Sequence, residues 1–145
     1  MRWDLEAIAK LRDYNAKTEA LGNIPDEIKR LEDDCVRIRS ATADSSPVQG
    51  GGNAREDMML SNICLREELE QRLTDTRAWL ATMDKALAAL TDEERLVLSR
   101  FYIRPHKGGV DRLCEELHLE KTVVYNRKNK ALRRFAVILY GAVET

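Results

Sequence analysis

The sequence predicts an all-α protein with an N-terminal helical bundle or coiled coil over residues 1–90 and a helix-turn-helix unit over residues 91–145. Two observations carry this expectation. Residues 55–90 contain no Gly or Pro, and Leu69, Leu73, Thr76, Leu80, Met83, Leu87 and Leu90 alternate four and three apart, the spacing of a coiled-coil seam. The last third then breaks into short apolar-faced segments divided by Arg104-Pro105-His106-Lys107-Gly108-Gly109 and by His118-Leu119-Glu120.

The first helix is expected over residues 5–21. Asp4 can cap it, Trp3 and Ile8 occupy the positions of a hydrophobic staple, Leu5, Ile8 and Leu11 share a face, and Gly22 stops it. A second helix follows, with Pro25 in its first turn and Ile24, Ile28, Leu31, Cys35 and Ile38 as its seam. Residues 41–54 change character: Ser45-Ser46-Pro47 and Gly50-Gly51-Gly52-Asn53 predict a mobile loop. The three glycines are not a phosphate cradle, because no Gly-Lys-Ser/Thr follows them.

The third helix, residues 55–90, presents Leu69, Leu73, Leu80, Met83, Leu87 and Leu90 as a seam that water cannot be left to cover. The helices of residues 5–40 or a second copy of the chain can cover it, and the reading favoured is a bundle that also carries an intersubunit seam, hence a homo-oligomer. Trp79, just off the seam, is expected to pack at the flank of the bundle.

Thr91-Asp92-Glu93-Glu94 reads as a capping box that starts the next helix, with Leu96, Val97, Phe101 and Ile103 as its apolar side. Val110, Leu113, Cys114 and Leu117 give a short helix one face, and a last helix runs from Lys121 to Tyr140. A helix-turn-helix demands a small residue in the first helix, an apolar residue in the turn and another on the inner face of the second helix. Cys114, Leu119 and Val124 meet these demands in order, and Ala131, Leu132 and Phe135 continue the buried side.

Charge points the same way. The total of -1 conceals a division: residues 1–120 carry 18 Lys and Arg against 24 Asp and Glu, whereas residues 121–145 carry six basic residues against Glu144 alone. A solvated helix face normally mixes both signs, so this helix is expected to meet an anionic partner, namely double-stranded DNA. No stretch approaches the length of a membrane span, and the N-terminus lacks a signal-peptide core, which predicts a cytoplasmic protein. Cys35, Cys64 and Cys114 are odd in number and lack C-x-x-C spacing, so they are expected to be buried free thiols rather than disulfide partners or zinc ligands. His106, His118 and the Glu115-Glu116 pair form no nucleophile–base constellation, so neither catalysis, cofactor nor metal is expected.

Residues 90–135 resemble the promoter-binding fourth region of bacterial sigma factors. They resemble more closely the phage late-gene transcriptional regulators of the ArpU and RinA type, which pair a helical N-terminal region with a sigma-like helix-turn-helix. The matching pieces are Leu90-Thr91-Asp92-Glu93-Glu94-Arg95, Arg100-Phe101-Tyr102-Ile103, and Thr122-Val123-Val124-Tyr125-Asn126-Arg127 with Lys130-Ala131-Leu132. Glu120 stands where such helices often open with Ser. The resemblance implies an activator of phage or prophage late genes for packaging or lysis, acting in the cytoplasm of a bacterial host. Two other readings are a module docking on RNA polymerase or a DNA-bound factor, and a recognition subunit for DNA packaging.

On the DNA reading, Thr122, Tyr125 and Asn126 at the start of the last helix are expected to read base edges. Lys121, Arg127, Lys130, Arg133 and Arg134 are expected to contact phosphates.

Overall fold

In the computed structural model the backbone is described for residues 2–44 and 51–143, and side chains for 2–40 and 54–143. The described residues are helical with no strand, in the order α1 (Trp3–Asp44), α2 (Gly51–Ala88), α3 (Asp92–Leu98), a π-helical segment (Ser99–Ile103), α4 (Gly109–Leu117) and α5 (Lys121–Tyr140). The all-α expectation holds. No helix among the described residues is long and apolar enough to cross a membrane.

The N-terminal boundaries differ from expectation. Helix α1 continues through Gly22 and Pro25, so the two expected helices are one. Gly and Pro weaken a helix interior by about 1 and about 3 kcal/mol respectively, amounts that flanking packing can outweigh. Gly22 does not adopt the left-handed conformation that ends helices. Leu5 is 54% exposed, and Ala7 and Leu11 point inward instead. Of the residues expected to form a loop at 41–54, 41–44 belong to α1 and 51–54 to α2, while 45–50 lie outside the described residues.

Contacts divide the chain into two compact units, residues 1–18 with 79–145 and residues 19–78. The expected boundary near residue 90 falls inside the first unit. Its core gathers Ala7 and Leu11 of α1, Met83, Ala86 and Leu87 of α2, Leu90, Leu98 of α3, Tyr102, and Ala131, Leu132, Phe135 and Ala136 of α5. Trp79 packs on this core as expected, with the Lys17 ammonium 4.0 Å from its ring centre. Trp3, Ile8 and Tyr14 also line it, and the Tyr14 hydroxyl donates to Asp84. That bond and partial burial push the Tyr14 hydroxyl above the usual tyrosine range.

The second unit is an antiparallel pair of helical segments, in which Leu31 lies beside Asn62 and Cys35 beside Met59. The Asn62 amide donates to the Leu31 carbonyl at 2.8 Å and its oxygen accepts from Arg66 Nε at 2.8 Å, so this buried polar side chain is satisfied. Cys35 is buried, but Cys64 is exposed and Cys114 half-buried, correcting the expectation of three buried thiols. Cys64 lies two residues, about 200° around the helix, beyond the inward Asn62 of α2 and therefore faces outward.

Leu69, Leu80, Met83, Leu87 and Leu90 are buried within the chain itself and Leu73 is half-buried. The seam expected to serve an oligomer is therefore covered by the chain's own residues.

Candidate nucleic-acid interface

Local sequence fixes how α5 is presented. Thr91 caps α3: the Glu94 N–H donates to the Thr91 hydroxyl at 3.2 Å, and the Thr91 N–H donates to the Glu94 carboxylate at 2.9 Å. Arg95 reaches back to the carbonyls of Leu87 and Leu90 at 3.0 and 2.6 Å, tying the first turns of α3 to the end of α2 and the residues that follow it. The π-helical segment, closed by the Arg104 N–H on the Ser99 carbonyl at 2.7 Å, directs consecutive aromatics to different neighbours. Tyr102 enters the main core, whereas Phe101 packs against both the main core and a second cluster of Val97, Leu113 and Val124. Asn15 donates to the Ile103 carbonyl at 2.7 Å and secures the end of that segment.

Helix α4 opens after Gly108, whose φ of 78° is a left-handed conformation that side chains rarely adopt. It closes in a Schellman arrangement: Leu119 N–H donates to the Cys114 carbonyl at 3.1 Å and His118 N–H to the Glu115 carbonyl at 3.3 Å. His118 takes the left-handed position at φ 55°, where glycine is usual. Cys114 and Leu119 then pack in the second cluster with fully buried Val124, as the sequence reading expected. Ala131, Leu132 and Phe135 are buried too.

The rest of α5 sorts into three strips. Thr122, Asn126, Lys130 and Arg133, spaced four, four and three apart, are exposed on the outward side. Asn126 to Arg133 spans about 10 Å of helix axis. Tyr125 lies on one flank, 39% exposed, with its ring in an edge contact 5.3 Å from Phe101 and the Lys128 ammonium 5.6 Å from its centre. Arg127 and Arg134 lie on the other flank and are ion-paired with the first turn of α3, Arg127 to Glu93 and Arg134 to Glu94 at 2.6 Å.

This divides the expected phosphate contacts. Lys121, Lys130 and Arg133 form no ion pair among the described residues, whereas Arg127 and Arg134 are already engaged. Of the expected base readers, Thr122 and Asn126 are open to solvent, and Tyr125 offers only the part of its ring that Phe101 leaves uncovered. Sequence reasoning missed Glu93 and Glu94 as partners; the available signal was their first-turn position, where acids favour a helix N-terminus and can also meet a neighbour's arginines. Burial pushes the Glu94 carboxyl upward, but the Thr91 N–H and hydroxyl together with Arg134 outweigh it and hold it below the usual glutamate range.

Glu120 precedes α5 without a side-chain cap bond, so it does not replace the capping that a serine provides. Elsewhere, Arg100 pairs with Glu116 at 2.9 Å, leaving that acid neutralised. No group of three or more His, Cys, Asp and Glu able to hold a metal ion occurs among the described residues.

Residues 37–136 match a protein family described as a protein of unknown function, DUF1492. The chain belongs to this family. The DUF1492 match runs through α2, α3 and α4 and takes in α5 as far as Ala136, including the whole outward strip. Neither the curated proteins nor the solved structures contain a match to the chain.

Proposed function

We propose that this DUF1492 protein is a sequence-specific DNA-binding regulator of transcription that places α5 in the major groove of double-stranded DNA. The observation that carries the reading is the outward strip of Thr122, Asn126, Lys130 and Arg133, which has no acid and whose cations have no ion-pair partner among the described residues. The same arrangement argues against an ordinary solvated face, in which both signs alternate.

Lys121, Lys130 and Arg133 neutralise phosphates, and the counterions they release supply most of the affinity. Thr122 and Asn126 read base edges, Asn126 pairing with adenine through both amide groups. Tyr125, braced by Phe101, adds an edge contact at the groove wall. The resemblance to phage late-gene regulators supplies the finer reading: an activator of phage or prophage packaging or lysis genes, working in the bacterial cytoplasm with host RNA polymerase as a further partner.

Fluorescence anisotropy on a selected duplex and on scrambled duplexes tests the division of labour. Asn126→Ala is expected to cost about 1–3 kcal/mol on the selected site and little on scrambled DNA. Arg133→Ala is expected to weaken binding to every duplex and to reduce the salt slope by about one. Equal losses on all sequences for Asn126→Ala would exclude a base-reading role.

A further inference from the structure

The first turn of α5 carries an apolar side chain that the core does not use. Val124 is fully buried in the second cluster, whereas its neighbour Val123 is 36% exposed. Valine is a weaker helix former than alanine or lysine, so at this exposed turn it serves neither the core nor the helix. Its place on the outward side is defined by helix geometry. Val123 lies one turn before Asn126, about 4.5 Å along the axis and about 60° around it, and two turns before Lys130 on nearly the same line. Asn126 and Lys130 are both exposed. Direction is fixed as well: buried Val124 anchors the turn, and a valine in a helix keeps essentially one χ1 rotamer, so the Val123 methyl groups lose little freedom on contact.

A major groove restricts what such a side chain can meet. Guanine, adenine and cytosine present donors and acceptors there, and valine laid against them would strip water from these groups and return no hydrogen bond. Thymine alone adds an apolar group, its C5 methyl.

We infer that Val123 is a specificity residue that packs on the C5 methyl of a thymine beside the adenine contacted by Asn126. The inference rests on the DNA reading and deepens it: the preferred duplex carries adenine and thymine at neighbouring positions, one read through hydrogen bonds and the other through apolar contact. Val137 is 41% exposed on nearly the same side of α5, but about 21 Å further along the axis, outside the N-terminal turns that enter the groove. Thr122, on the other side of Asn126, has a hydroxyl that can bond to more than one base and so discriminates less.

Replacing each thymine of the selected duplex in turn by deoxyuridine tests this, because the exchange removes the methyl and keeps the base pair. Anisotropy of the full chain is expected to show an affinity loss of about fourfold at one thymine, the equivalent of one buried methyl group. Val123→Ala places a better helix former at an exposed position, and Trp3 and Trp79 fluorescence checks that the core is intact. This variant is expected to bind the thymine duplex about fourfold more weakly, to be indifferent to deoxyuridine at that position, and to bind scrambled duplexes as the wild type does. A preferred duplex without thymine, a wild type indifferent to deoxyuridine at every position, or a Val123→Ala variant that keeps the wild-type response at every thymine would overturn the inference and leave the DNA reading standing. A wild type with no preferred duplex would overturn both.

Discussion

Removing the Glu94 carboxylate tests how firmly α3 is fixed beneath α5. Glu94 accepts the Thr91 N–H at 2.9 Å and pairs with Arg134 at 2.6 Å, with side chains 20% and 51% exposed respectively. Loss of a helix cap costs about 1 kcal/mol, and a half-exposed ion pair contributes about 0.2–1 kcal/mol. Thr91→Ala, which removes only the hydroxyl cap, should therefore cost about 1 kcal/mol. Glu94→Gln keeps the acceptor for Thr91 and loses the charge, so it should cost only the ion pair, about 0.2–1 kcal/mol. Glu94→Ala loses both and should cost about 1–2 kcal/mol.

The readout is specific, because the only two tryptophans, Trp3 and Trp79, both line the core of this unit. Urea unfolding followed by their fluorescence therefore reports on the core against which α3 and α5 pack. The carboxyl is held below its ordinary value, so its contribution is fully present above the unfolded glutamate pKa of about 4.3 and is lost as pH falls through the lower folded value. The charge-dependent part of the Glu94→Ala deficit should accordingly persist from neutral pH to about pH 5 and vanish in stronger acid. Variants at Thr91 and Glu94 as stable as the wild type at neutral pH, or a Glu94→Gln deficit unchanged in strong acid, would refute the reasoning.

Other predictions follow from neighbouring contacts. Glu93→Gln releases Arg127 from its ion pair and, on the DNA reading, should raise affinity by up to about five-fold at low salt, the equivalent of one exposed pair, as measured by anisotropy. Phe135→Ala empties the centre of the first unit, where Phe135 is fully buried, and should cost about 3–5 kcal/mol in the same urea assay.

The C-terminal third was legible because its signals are short-range. Thr91 and Glu94 specify a reciprocal cap three residues apart, and Cys114, Leu119 and Val124 specify a turn whose hydrogen bonds close within six residues. Helix α1 was misdivided because Gly22 and Pro25 are local penalties, and whether a local penalty ends a helix depends on packing supplied from distant sequence. The same limit hid the α5 flanks. Nothing near Arg127 or Arg134 in sequence announces Glu93 or Glu94, which lie 34 and 40 residues away along the chain. Composition counted six cations on the last helix, but folding withdraws two of them into ion pairs and sets Lys128 beside aromatic rings.

On the DNA reading, the outward strip of α5 binds duplex DNA and reads its sequence. Gel-shift titration of the full chain against a pool of random duplexes at two salt concentrations, with sequencing of the bound fraction, addresses it directly. The expected result is affinity that falls steeply with salt and a bound fraction enriched in a common sequence, an enrichment lost in Asn126→Ala. Absence of binding at low salt, or a bound fraction as random as the input pool, would contradict it.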